Sequence, residues 1–151
     1  MDEVTVSIAA PPERVWALVT DITKMGEWSP ENRGGRWSGG ALGPAVGARF
    51  TSWNAHGFLR WPTRCTVVEC DEPRAFAFDV AESVMRWGWR LAPEGAGTRL
   101  TQWREHVGTP NVLVRTLAGS GLLGKERERL MVDGMHRTLG ALKTHAEHAP
   151  I

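Results

Sequence analysis

The side chains able to do acid–base or anion-binding chemistry are scattered, so their worth depends on the strands and helices that carry them. Histidines stand at 56, 106, 136, 145 and 148. An imidazole titrates near neutrality and can carry a proton in a reaction. His56 and His136 are the natural proton carriers, with Glu105 and His106 as further acid–base candidates. Arg104 would offer a fixed positive charge to an enolate or carboxylate. His145-x-x-His148 sits at the end of the chain with no partner at ligand spacing, so no metal site is expected; a histidine there suits the negative end of a helix dipole. Cys65 and Cys70 are too few for a disulfide framework, and their C-x4-C spacing matches no common zinc module. They read as reduced, buried thiols. Gly119-Ser120-Gly121-Leu122-Leu123-Gly124 matches G-x-G-x-x-G, but only 27 residues follow Gly124, too few for the second parallel strand and acidic residue a dinucleotide site needs. Read on to Lys125-Glu126, the same stretch puts a carboxylate where a phosphate-binding loop has its magnesium-bound hydroxyl. No nucleotide cofactor is expected.

The elements that must position these groups can be read from pattern. The chain has 151 residues, which fits a single domain over 1–151. Lys+Arg 18 against Asp+Glu 17 gives +1, so no overall electrostatic case exists for nucleic acid or an anionic membrane. No apolar run approaches the ~20 residues of a spanning helix, and the acidic start Met1-Asp2-Glu3 is unlike a signal peptide, so a cytoplasmic location is expected. Eight Trp and no Tyr mean that either an aromatic-rich core or the lining of a cavity must absorb them.

Val4, Val6 and Ile8 alternate as a strand that stops at Pro11-Pro12. Val15, Trp16, Val19 and Ile22 then share one helical face. Met25 to Pro30 reads as a helix end or short second helix, and the glycines at 34, 35, 39, 40, 43 and 47 as loop punctuation around a short strand at Arg36-Trp37-Ser38. Strands are expected near 46–56, 58–70, 74–82, 84–92 and 97–107, joined by connectors short enough for an antiparallel meander. Thr109-Pro110 suits a helix start. Gly119, Gly121 and Gly124 predict a break, and 125–147 predicts a long helix whose apolar stripe is Leu130, Met131, Met135, Leu139, Leu142 and Ala146. The sum is α+β: a curved antiparallel sheet wrapped around a long C-terminal helix.

This order, with its local motifs, resembles the START/polyketide-cyclase/pollen-allergen superfamily and its helix-grip fold. The carrying residues are Ala10-Pro11-Pro12-Glu13-Arg14-Val15-Trp16, Asp21, Trp28, Val46-Gly47-Ala48-Arg49-Phe50, Val67 with Pro73, Gly97-Thr98-Arg99-Leu100-Thr101 and Leu139-Gly140-Ala141-Leu142-Lys143. Glu27-Trp28-Ser29-Pro30-Glu31 and Arg36-Trp37 look closest to small bacterial polyketide cyclase/dehydrase-like proteins. The resemblance covers nearly the whole chain. It implies a mainly apolar cavity between the sheet and the last helix that holds lipids, polyketides or other hydrophobic molecules, with the glycine loop at its mouth. It carries no shared catalytic signature.

Alternation then nominates the lining. If Phe50 faces inward, so do Ser52, Asn54 and His56; if Leu100 does, so do Gln102, Arg104 and His106. The opposite phase would bury Trp103 and turn Glu105 inward. Trp87 and Trp89 share one face of one strand with Met85 and Leu91, while Phe76, Phe78 and Val80 mark the neighbouring inward face. Trp28, Trp37, Trp53 and Trp61 lie in or beside the front loops, and Trp16 reads as core. The expected ligand-binding set is Trp28, Phe50, Asn54, Trp61, Phe76, Phe78, Trp87, Trp89, Gln102, Arg104, Met135 and Leu139, and the catalytic candidates are His56, Arg104 and His136. Binding of a hydrophobic small molecule ranks first. A cyclase, aromatase or dehydratase comes second. A co-chaperone-like client binder comes third, set back by the single Trp28 before Ser-Pro where a Trp pair would be expected. A monomer or a homodimer is expected.

Overall fold

The computed structural model describes residues 1–29, 32–56, 58–107 and 122–148, with the backbone alone for His56 and residues 122–128. In chain order the elements are β1 (Asp2–Ile8), α1 (Pro12–Val19), a 3-10 helix (Ile22–Glu27), β2 (Asn32–Ser38), β3 (Arg49–His56), β4 (Leu59–Asp71), β5 (Ala75–Val80), β6 (Met85–Glu94), β7 (Gly97–His106) and α2 (Leu122–His148). The seven strands form one curved, unclosed antiparallel sheet in the order β1-β7-β6-β5-β4-β3-β2. Strands β2 to β7 are successive neighbours, as short connectors require. β1 forms the opposite edge by pairing with β7, from Asp2 opposite Arg104 to Ile8 opposite Thr98. This is the helix-grip architecture expected from the order of elements.

Pro12 opens α1 at a position where its missing N–H is no loss. The helix buries Val15, Trp16 and Val19, and the Trp16 ring meets Phe76 of β5 edge-on, with centroids 6.1 Å apart. Asp21 caps the 3-10 helix by accepting from the Thr23 N–H. β2 is longer than expected and includes Gly34 and Gly35, which are strand residues at a break in the β2–β3 register rather than loop punctuation. A Cβ on Gly35 would stand 2.9 Å from the Ile22 carbonyl oxygen, so the glycine lets the 3-10 helix lie directly on this edge strand.

The last helix begins at Leu122, so the expected break over Gly124 is corrected: residues 122–124 are already helical. A glycine in a helix costs only about 1 kcal/mol relative to alanine, which tertiary packing outweighs. Gly119, Gly121 and Thr109-Pro110 lie outside the described residues. Met135, Thr138, Leu139, Leu142 and Ala146 are buried along one stripe. Leu130 leaves that stripe and is 42% exposed, because at about 100° per residue it points roughly 140° away from the direction of Met135. The C-terminal half of α2 is fastened to the end of β1 and to α1. Lys143 Nζ donates to the Ser7 carbonyl at 2.7 Å, the Ala9 N–H to Glu147 Oε2 at 2.7 Å, and Arg14 Nε to the Ala146 carbonyl at 3.0 Å. So anchored, α2 lies along β1 and β7, on the concave side of the sheet.

Candidate functional site: the concave face

The register decides which polar groups look inward. Trp87, Trp89 and Leu91 of β6 stand opposite Arg104, Gln102 and Leu100 of β7, and these stand opposite Asp2, Val4 and Val6 of β1. Leu100 is fully buried and Val4 and Val6 pack on the core, so this shared face is the concave one. Gln102 and Arg104 therefore point inward. Trp103 points outward, yet it is buried too. Its indole lies flat over Gly88 on the outer face, where a Cβ would meet its ring at 2.2 Å.

Arg104 is 3% exposed. Its Nε donates to Asp2 Oδ2 at 2.8 Å, and its guanidinium carbon lies 5.6 Å from the centroid of the Trp87 ring. A buried guanidinium needs such a counter-ion, and the indole face adds a cation–π attraction of about 0.5–2 kcal/mol. Asp2 was missed at the level of sequence, although it follows from the β1 alternation that places Val4, Val6 and Ile8 inward. Gln102 is 8% exposed, and its Oε1 is buried with no hydrogen-bond partner among the described residues.

On the other half of the sheet, Phe50, Ser52 and Asn54 of β3 stand opposite Cys65, Thr63 and Trp61 of β4. Phe50 is core. Its ring meets Trp37 at 5.4 Å and Phe78 at 5.1 Å, and Phe78 meets Phe76 at 6.1 Å, so an aromatic row runs along the concave floor. Toward the β3–β4 turn this floor becomes polar. Asn32 Nδ2 donates to Ser52 Oγ at 2.5 Å, and Asn54 Nδ2 to Thr63 Oγ1 at 3.1 Å. Asn54, Trp61, Thr63 and Trp87 are only half-buried although they face inward. Asn32 and Thr63 were not foreseen; the alternation of β4 about Cys65 was the available signal for Thr63.

Several nominated residues lie elsewhere. Trp28 is buried against His145, ring centroids 5.7 Å apart, at the end closed by α1 and the α2 C-terminus. Trp53 stands on the outer face opposite Pro62 and is 52% exposed. His136 is exposed, about 100° around α2 from Met135, and so does not share the inward stripe. His106 at the end of β7 is exposed as well, and the His56 side chain lies outside the described part. Met135 and Leu139 are fully buried on the inward stripe of α2. The surface groove of about 320 Å³ where the 3-10 helix meets β2 shares only Asn32 with the concave face.

The surroundings of both cysteines disfavour the thiolate. Burial pushes the Cys65 thiol up to about 12, with a smaller lowering by the Thr63 hydroxyl and a small rise from Glu82. Burial also raises Cys70, helped by Glu72 and Asp71. Thiolate, the reactive form, is thus scarce at neutral pH.

The concave sheet over a long helix, with scattered polar groups on an apolar floor, is the helix-grip arrangement. Residues 2–147 match the family described as "Polyketide cyclase / dehydrase and lipid transport", and the chain belongs to it. The Polyketide_cyc-like protein Cgl2372 from Corynebacterium glutamicum is 30% identical, with 98% of this chain and 94% of that one covered at a TM-score of 0.66. TTHA0849 from Thermus thermophilus shares the fold at 21% identity and a TM-score of 0.69, covering 99% and 98% of the two chains. The di-domain ARO/CYC StfQ from the steffimycin biosynthetic pathway shares it at 14% identity and a TM-score of 0.67, with 97% of this chain matched to 44% of that one. A search of the curated proteins finds no match. No helix among the described residues is long and apolar enough to cross a membrane.

Proposed function

We propose that this chain binds a hydrophobic small molecule against the concave face, between the inner sides of β3 to β7 and α2. One observation carries the reading: Asn54, Trp61, Thr63 and Trp87 face inward yet stay only half-buried, beside a floor of Phe50, Phe76, Phe78, Trp89 and Leu100 that is core. Inward aromatic surface left partly wet gains free energy when a ligand covers it, at about 25 cal/mol per Å². The family's own description, which couples cyclases with lipid transport, supports the same class of ligand.

The second reading, a cyclase or dehydratase, draws on the same family description and on the cyclase among the structural neighbours. It needs a proton carrier within reach of the ligand. Every histidine whose side chain is described, at 106, 136, 145 and 148, is exposed, and Arg104 is held by Asp2. His56 is the histidine that reading has left. Binding without turnover is therefore placed first.

The test is titration of the purified protein with a panel of polycyclic and long-chain molecules, read by tryptophan fluorescence. Saturable quenching is expected, weakened in Trp87→Ala and Trp89→Ala by roughly 0.5–1.5 kcal/mol each beyond the area lost if the rings stack on the ligand. Absence of quenching across the panel refutes the binding reading. Turnover of a poly-β-keto substrate that drops roughly 10²–10⁴-fold in His56→Ala while binding persists would place the enzyme first.

A further inference from the structure

We propose that Gln102 is the hydrogen-bonding anchor of this face, and that the Arg104–Asp2 pair confines the site to uncharged ligands bearing a hydroxyl or N–H donor. The proposal rests on the reading that the concave face binds a hydrophobic molecule, and goes beyond it to ligand chemistry.

Gln102 is more than nine-tenths buried, and its register places it on the inward face between Trp89 and Val4, two residues along the strand from Arg104. Its Oε1 is shut off from solvent and accepts no hydrogen bond from a described residue. A buried acceptor without a donor destabilises the fold that contains it, whereas Met or Leu in the same place would not. A donor brought by a ligand removes that penalty in the bound state alone, so the amide favours molecules that carry one.

The charge on Arg104 works in the other direction. Its side chain is 4% exposed and is bound at 2.8 Å by Asp2, which the β1–β7 register holds directly opposite. The pair is neutral as a unit. An incoming carboxylate must either stay unpaired in a poorly solvated place or displace a counter-ion tethered beside Arg104 by its own strand. The face therefore recognises a hydroxyl and resists a carboxylate.

Equilibrium dialysis at pH 7 of the full chain against naphthalene, 2-naphthol and 2-naphthoate separates these possibilities. In the unsubstituted protein, 2-naphthol is expected to bind about tenfold more tightly than naphthalene, the worth of one satisfied buried acceptor. In Gln102→Met this preference should collapse toward one, and the melting temperature should not fall. 2-Naphthoate should be the weakest of the three, and Asp2→Asn should strengthen it by about tenfold or more. Equal binding of 2-naphthol and naphthalene, or an unchanged preference in Gln102→Met, overturns the role of Gln102 while leaving the binding reading intact. Tightest binding by 2-naphthoate overturns the charge argument. Failure of all three to bind counts against the binding reading itself. If Gln102→Met does not fold, the ratio of 2-naphthol to naphthalene in the unsubstituted protein decides.

Discussion

Gly88 sits between Trp87 and Trp89 and leaves room for Trp103 on the opposite side of the sheet, so Gly88→Ala should strain the whole wall. The added methyl would lie 2.2 Å from Cε2 and Cζ2 of Trp103 and 2.6 Å from its Nε1. Non-bonded carbons prefer about 3.5–4.0 Å, so the overlap is roughly 1.5 Å. A rigid indole cannot fold away from it; the ring must lift from the outer face, or β6 must bend inward. Overpacking of this kind costs about 1–3 kcal/mol. The better strand propensity of alanine returns roughly 0.5–1 kcal/mol. A net loss of about 1–2 kcal/mol corresponds to a fall in Tm of roughly 2–8 °C at this chain length. Thermal unfolding followed by circular dichroism reads it directly. The cause is isolated by repeating the substitution in Trp103→Ala, where the methyl meets empty space and should be neutral or mildly stabilising. An unchanged Tm in Gly88→Ala, or the same loss in both backgrounds, would refute the reasoning.

The Cys65 thiol, raised by burial to about 12 from an ordinary 9.0, should react with a disulfide reagent at pH 8 only as fast as the protein unfolds, and more slowly than the half-buried Cys70; prompt modification of both in the native state would contradict this. The same shift makes its contribution to stability complete below about pH 9 and lost as pH rises toward 12. Glu147 has the opposite sign. The Ala9 N–H and Lys143 hold its carboxyl below the usual 4.5, so the stabilisation it gives is present above that pH and lost as pH falls through the lowered value. Melting temperatures measured from pH 6 down to pH 3 should therefore fall less steeply in Glu147→Gln, and parallel curves would sink the assignment.

Much of this arrangement was legible before the structure, because two periods carry it. Alternation put Trp87 with Trp89 and Gln102 with Arg104 on single faces, and the register confirms both. The helical stripe from Met135 to Ala146 was equally plain, since its members recur at three and four residues. What failed did so for physical reasons. Trp103 looked like a reason to reverse the phase of β7, but a large ring can be buried on the outer side of a sheet when a glycine lies beneath it. Gly34 and Gly35 looked like a loop because what demands them is tertiary: the 3-10 helix lies against both, with the Thr23 carbonyl beside Gly34, whose φ is +105°, and Ile22 beside Gly35. Alternation could turn Asp2 inward but could not pair it with Arg104: the two are 102 residues apart, and only the β1–β7 register brings them together. His136 shows the limit of sequence neighbours on a helix, since the residue beside Met135 is turned by about 100°.

The most direct test of ligand binding on the concave face uses the tryptophans themselves. With eight indoles in the chain, a ¹⁵N-labelled sample offers one indole N–H signal for each, assigned by single substitution. Titration with 2-naphthol should move the signals of Trp87, Trp89 and Trp61 saturably and leave those of Trp53 and Trp103, on the outer face, in place. Saturable shifts confined to Trp53 and Trp103, or no saturable shift at any indole, would contradict the account.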